Sequence, residues 1–169
     1  MATDRKRRCY EEGHRRKFLM IADDSAEGEV AMLYCGSRIG HTGGDLVLLY
    51  VIEPQDFGHW IGVREIELEE EVNKAKATFR LLRRKLTNAG FEHVTIEEVI
   101  RQGKKTEEIM KLIDEDQDIA ILVLGAAVDP KGPGPLISQI VGGKMAGSFP
   151  IPINIVPGNL SLEELQALA

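Results

Sequence analysis

Two stretches of this chain are apolar at nearly every position, Leu46–Ile52 (LVLLYVI) and Ile119–Leu124 (IAILVL). Each is too short to cross a membrane as a helix. Each is also too uninterrupted to lie with one face in water, which makes it a strand buried on both faces. Such strands need helices above and below them, and the rest of the sequence supplies the helices. Leu68, Val72, Ala75, Phe79, Leu82 and Leu86 alternate between spacings of four and three, the single apolar stripe of an amphipathic helix. Gly90 follows it as a C′ stop.

The same alternation extends along the chain. Lys17–Ala22 (KFLMIA) predicts a first strand, His93–Ile100 (HVTIEEVI) a partly polar edge strand, and Pro152–Val156 (PINIV) a last one. Helices are expected at Ala26–Gly40, Thr106–Glu115 and Ser138–Ala146, and the Ser161–Glu164 capping box opens another at the C-terminus. Five strands alternating with helices make a parallel sheet covered on both faces. Right-handed crossovers then give an α/β, doubly wound sheet of order 3-2-1-4-5. At 169 residues this is one domain. The division is a basic extension over 1–16, a body over 17–158 and a C-terminal helix over 159–169.

Charge is uneven. The chain carries −6 overall, yet residues 1–17 hold seven Lys/Arg against three acids. The expectation is a solvated, poorly ordered tail. Aromatics are 5% with a single Trp60, which leaves few platforms for base stacking. An acidic body also argues against tracking a phosphate backbone, so no nucleic-acid partner is expected. No apolar run suits a signal peptide or a membrane span, and a cytoplasmic location is expected. Cys9 and Cys35 form no C-x-x-C pair. His14, His41, His59 and His93 share no metal-ligand spacing, so no metal is expected. A loop over Gln55–Val63 carries Phe57, His59 and Trp60 as a surface available to protein partners that the sequence does not name.

In a sheet of this order a ligand sits outside the carboxyl ends of strands 1 and 4, where the order reverses. Asp23-Asp24-Ser25, Val51 and Gly125 with its loop fall there. The paired aspartates have two readings: capping of the next helix, or a carboxylate that hydrogen-bonds a nucleotide's ribose or base. The segment Gly125–Ser138 (GAAVDPKGPGPLIS) has glycines that let a backbone approach phosphate. Against that, Pro130, Pro133 and Pro135 lack an N–H, and Asp129 repels an anion that Lys131 only partly offsets. Neither a Walker A spacing nor G-x-G-x-x-G occurs. Neither G-x-S-x-G nor an activated cysteine is present, so no catalytic residue is assigned and an enzyme is not expected.

Several segments carry a resemblance: FLMIADDSAE, LLYVIEP, RQGKKTEEI, ILVLGAA and PIPINIVPG, spread from Lys17 to about Gly158. In order and spacing this stretch resembles a universal stress protein domain of the universal stress protein A superfamily. The PGPLIS and FGHW segments look like a bacterial subgroup. The resemblance implies an adenine nucleotide alpha hydrolase-like fold, a homodimer, and ATP or another adenine nucleotide as a ligand that is not required. It places an acidic site residue on Asp23 and an adenine-side residue on Val51. The family's phosphate motif, G-x2-G-x9-G-[S/T], is not matched. Three positions after Gly125 stands Val128. Gly132 as second glycine puts Gly142 ten later, but Gly143 then replaces Ser/Thr and Asp129 the first glycine. A register from the last strand brings Ser138 and Gln139 near the final pair.

The candidate nucleotide-binding residues are therefore Asp23, Asp24, Ser25, Val51, Gly125, Gly132, Gly134, Ser138 and Gln139. The resemblance implies a non-catalytic regulatory module of the stress response with a degenerate pocket. The alternative is an ATP-binding stress protein with slow hydrolysis. The last strand, Pro152, Ile153, Asn154, Ile155 and Val156, is an apolar edge that a twofold copy would cover. Alternatively, Leu160–Ala169 covers it within one chain.

Overall fold

The computed structural model describes residues 6–54 and 61–169, with the backbone alone at 61–63. Five strands are present: β1 (Lys17–Ile21), β2 (Asp45–Ile52), β3 (Ile96–Gln102), β4 (Ile119–Ala126) and β5 (Ile153–Pro157). They pair in parallel in the order β3-β2-β1-β4-β5. The helices are α1 (Ala26–Thr42), α2 (Ile61–Asn88), α3 (Lys105–Glu115), α4 (Pro135–Val141) and α5 (Leu162–Leu168). This is the doubly wound arrangement that the apolar runs require.

The sheet separates two cores. Phe18, Met20, Leu46 and Leu48 point to one face, where α1, α2 and α5 cover them through Met32, Phe79, Leu82 and Leu165. Leu19, Val47, Leu49 and Leu122 point to the other, under Ile109, Ile113 and Ile140 of α3 and α4. The period of two along each strand produces this division.

Some boundaries differ from expectation for identifiable reasons. β3 begins at Ile96 rather than His93, because Val94 N–H closes a turn onto Phe91 C=O and pairing with β2 starts at Leu46–Ile96. α4 begins at Pro135 rather than Ser138, since a proline at the first helical position is already set for the helix. It ends before Gly142, and Ala146–Ser148 is a separate 3-10 turn. The helix begun at Ile61 takes in the end of the expected Gln55–Val63 loop. Phe57, His59 and Trp60 lie outside the described residues.

α2 is 28 residues long, and its stripe is buried only in part. Ala75, Phe79, Leu82 and Leu86 are fully enclosed, whereas Leu68 and Val72 are half-buried. The first half of the helix overhangs the carboxyl end of the sheet.

The basic extension is docked, not solvated, from Arg7 onward. Arg8 N–H donates to Gln117 C=O at 2.9 Å. The Arg7 guanidinium Nη1 reaches the carbonyls of Ile113 and Ile119, both at 2.9 Å. Those oxygens sit at the end of α3 and the start of β4, where a cation opposes the negative end of the helix dipole. His14 Nδ1 lies 2.8 Å from Asp118 Oδ1, and Arg15 pairs with Asp45. Lys17 Nζ pairs with Asp116 at 2.7 Å and Glu97 at 3.0 Å. The tail's positive charge thus neutralises carboxylates gathered at the amino ends of the strands.

Candidate functional site

The carboxyl end of β1 delivers Asp23 to the point where strand order reverses. Its Oδ1 accepts from Ser25 N–H at 3.0 Å and from Ser25 Oγ at 2.5 Å. Ser25 is the N-cap of α1, and its Oγ accepts from Gly28 N–H at 3.0 Å. The capping reading therefore holds for Ser25 and for one oxygen of Asp23. The other oxygen, Oδ2, takes no hydrogen bond from any described residue and remains available to a ligand.

Gly28 makes this geometry possible. A Cβ there would overlap Asp23 Oδ1, so any larger residue displaces the carboxylate. Gly125, at the end of β4, has a different neighbour from the one the sequence suggested. The space a Cβ would need is filled by the backbone carbonyl of Glu27 in α1. Its missing side chain lets α1 rest against β4, and the residue also lines the crevice.

Two of the cavities that open at this end share Asp23 and Lys105. The larger, of about 400 Å³, is lined by Asp24, Tyr50, Val51, Lys74, Ala77 and Leu81 among others. It lies under the overhang of α2 and is within the size range of small-molecule sites. The smaller, of about 130 Å³, is lined by Ser25, Glu27, Gly125 and residues 133–137, with Lys105 its one cationic lining residue among the described residues. Among the candidate residues, Asp23, Ser25, Gly125 and Gly134 line the smaller cavity, and Asp23, Asp24 and Val51 line the larger. Gly132, Ser138 and Gln139 line neither. Ser138 Oγ donates back to Gly134 C=O, and Gln139 is exposed.

The loop after β4 closes on itself. Ala127 N–H donates to Pro133 C=O, Gly132 N–H to Asp129 C=O, and Lys131 N–H to the Asp129 carboxylate. With three prolines lacking a donor, most of this loop has little to offer a phosphate. At the larger cavity, burial pushes the Tyr50 phenol upward, aided by Glu71 and Asp24 and opposed by Lys74. Tyr50 is thus a neutral hydroxyl at physiological pH, able to donate a hydrogen bond. Lys74 is held charged by its bond to Glu71 at 2.9 Å.

Sequence reading missed Lys105, Gly28 and Tyr50. Lys105 had a signal, since a residue opening the helix after β3 sits at the carboxyl end of the sheet. Among the described residues no group of His, Cys, Asp or Glu is arranged to hold a metal, and no helix is long and apolar enough to cross a membrane.

Comparison with known proteins follows from this fold. The universal stress protein A protein of Lactobacillus plantarum superposes with a TM-score of 0.62 at 16% identity, over 83% of this chain and 97% of its own. A universal stress protein in complex with cAMP gives 0.57 at 18%, over 83% and 96%. A member of the family from Burkholderia pseudomallei gives 0.56 at 13%, over 83% and 95%. These likenesses concern the fold. No curated protein matches the sequence. The sequence profile described as the Universal stress protein family matches residues 14–157, most of the chain. With the strand order and the crevice at the β1–β4 switch in place, the chain belongs to the universal stress protein family.

Proposed function

We propose that this protein is a non-catalytic regulatory module of the stress response that binds an adenine nucleotide in the β1–β4 crevice. The observation that carries this is Asp23, which lines both the larger and the smaller cavity and whose Oδ2 takes no hydrogen bond from a described residue. Val51, Ala77 and Leu81 suit a flat ring, and an acceptor carboxylate suits ribose hydroxyls. The relative solved with cAMP shares the fold and supports an adenine ligand. The hydroxyl–carboxylate pair in this lining, Ser25 with Asp23, is engaged in capping α1 through Gly28 N–H, which favours a structural role over covalent catalysis. A triphosphate-binding protein with slow hydrolysis has less support, because the amides of Ala127, Lys131 and Gly132 are bonded internally and Pro130, Pro133 and Pro135 have none.

The working form is a homodimer in the cytoplasm, joined through β5. Leu122 N–H donates to Pro152 C=O, and Gly158 N–H donates to Ala126 C=O. Even-numbered residues of β5 therefore face β4, and Ile153 and Ile155 present their backbone groups outward. α5 packs its Leu165 into the α1 face and leaves that edge open, with Ile155 43% exposed. An unpaired apolar edge favours a twofold copy.

Calorimetric titration with adenosine and AMP tests the site, with Asp23→Ala as the comparison. We expect at least about a tenfold loss of affinity for both ligands, the scale of one lost hydrogen bond to a charged group. Unchanged affinity removes Asp23 from the site, and absence of binding by the unaltered protein removes the nucleotide reading. Sedimentation at micromolar concentration measures the oligomer, and a monomer there removes the β5 interface.

A further inference from the structure

The last strand carries one polar side chain where its neighbours are apolar. Asn154 stands between Ile153 and Ile155 in β5, although asparagine is depleted in strands. Its side chain is half-buried on the α1 face, where Nδ2 donates to Tyr34 Oη at 3.4 Å. The other Nδ2 hydrogen and the Oδ1 acceptor have no partner among the described residues. Beside this amide a groove of about 350 Å³ is lined by Tyr34, Leu160 and Leu168 among others, with Leu168 66% exposed. One donor and one acceptor left open on the same amide, in an apolar rim at a sheet edge, match the donor and acceptor of a second amide.

We propose that Asn154 lies on the twofold axis of the β5 pairing, where its amide closes with the partner's Asn154, sets the strand register and selects a second copy of this chain over other apolar edges. This rests on the β5 dimer proposed above, and the backbone limits the choice of register. The outward-facing backbone groups of β5 belong to Ile153, Ile155 and Pro157. In an antiparallel pairing within β5 the axis passes through Asn154 or through Ile155, since other centres bring fewer of these groups together. With the axis at Asn154, Ile153 meets the partner's Ile155, and every outward N–H and C=O of the two residues finds a counterpart. With the axis at Ile155, Ile153 meets the partner's Pro157, which has no N–H, and the Ile153 carbonyl goes unpaired.

The side chains favour the same axis. The Asn154 backbone faces β4, so across the axis it forms a non-hydrogen-bonded pair, in which Cα atoms approach to about 4.5 Å and side chains are closest. Each Nδ2 then gives its second hydrogen to the opposite Oδ1 while keeping Tyr34. An axis at Ile155 instead sets Asn154 against the partner's Val156, an amide against methyl groups. The twofold operation also brings the same wall of Tyr34, Leu160 and Leu168 to the far side of the amide pair. A polar pair in apolar surroundings favours one register and one partner, because an edge without the matching amide leaves it unsatisfied.

The test is disulfide trapping of the full chain in a Cys9→Ser background, where the remaining native thiol, Cys35, is buried. Asn154→Cys and Ile155→Cys proteins are oxidised side by side. A disulfide needs Cα atoms about 4.4–6.8 Å apart, whereas diagonal neighbours across a strand pair lie at about 7–8 Å. We expect the Asn154→Cys protein to form the covalent dimer at least about tenfold faster than the Ile155→Cys protein. The reverse order puts the axis at Ile155, and equal rates mean that no register is fixed; either result overturns the inference.

Asn154→Asp gives a second readout. It keeps an acceptor for the Tyr34 hydroxyl but sets two carboxylates face to face across the axis. Sedimentation at neutral pH should show a dimer dissociation constant at least about tenfold above that of the unaltered protein. An unchanged constant overturns the inference. An unaltered protein that is monomeric at micromolar concentration overturns the dimer reading itself, a different outcome from any of these.

Discussion

The two ends of the sheet are built on opposite principles. At the amino end, His14, Arg15 and Lys17 meet the carboxylates of Asp118, Asp45, Asp116 and Glu97, and Arg7 Nη1 reaches the carbonyls of Ile113 and Ile119 while its Nε and Nη2 have no partner among the described residues. At the carboxyl end, Asp23 Oδ2 and the Lys105 ammonium stand without partners beside open cavities. Both ends carry the same kinds of side chain. What differs is whether the chain supplies the counterparts, and an end left incomplete is where a ligand completes it. Parallel strands impose the direction of this difference, because every helix starts at the carboxyl end and every crossover loop there can diverge without disturbing the sheet.

Substitutions can break this comparison or sharpen it. Gly125→Ala is the strongest challenge, since it places a methyl group against the Glu27 carbonyl at the end expected to be permissive. The overlap is with backbone, so α1 must shift, and a loss of about 1–3 kcal/mol is expected in urea denaturation. A negligible loss would mean that the α1–β4 contact has slack. Arg7→Ala acts at the sealed end and removes hydrogen bonds to Ile113 and Ile119. It should cost about 1–2 kcal/mol in the same measurement, and no change would return the extension to the status of a solvated tail.

The smallest effect concerns Lys17. Burial lowers its pKa, but the hydrogen bonds and charges of Asp116 and Glu97 outweigh that and hold it above the ordinary 10.5. A raised pKa in the folded state means the contribution is complete below 10.5 and is lost as pH rises through the folded value. Lys17→Met should remove that alkaline loss. The difference between the two proteins is expected to be under about 1 kcal/mol at neutral pH, shrinking as pH climbs. A difference that grows with pH would show that the ion pairs do not stabilise the amino end.

The sequence exposed the sheet more fully than the site. LVLLYVI and IAILVL announce buried parallel strands by composition alone, and the strand order then follows from chain chirality. Asp23 and Val51 were legible because they end strands, and strand ends have a fixed place in this architecture. Arg7 was not, since its partners lie more than a hundred residues away and only folding brings them to it. Lys105 and Gly28 have the same character. One is a charge without a partner among the described residues, the other a vacancy beside Asp23 Oδ1 that exists only once the turn between β1 and α1 has formed. The loop after β4 was read correctly as poor in donors, but its internal hydrogen bonds depend on a turn at Asp129 that composition alone does not specify.

The edge at β5 is also notable for its length. Pro152 precedes the strand and Pro157 ends it, and the outward-facing row contains Pro157, which has no N–H to give. The exposed ladder is therefore confined to Ile153 and Ile155 on its donor side. A template this short cannot nucleate an open-ended stack of strands, because the row of donors that would be copied from chain to chain runs out after two residues. Whatever strand pairs there, the proline that ends the strand limits how far the pairing can run along this edge.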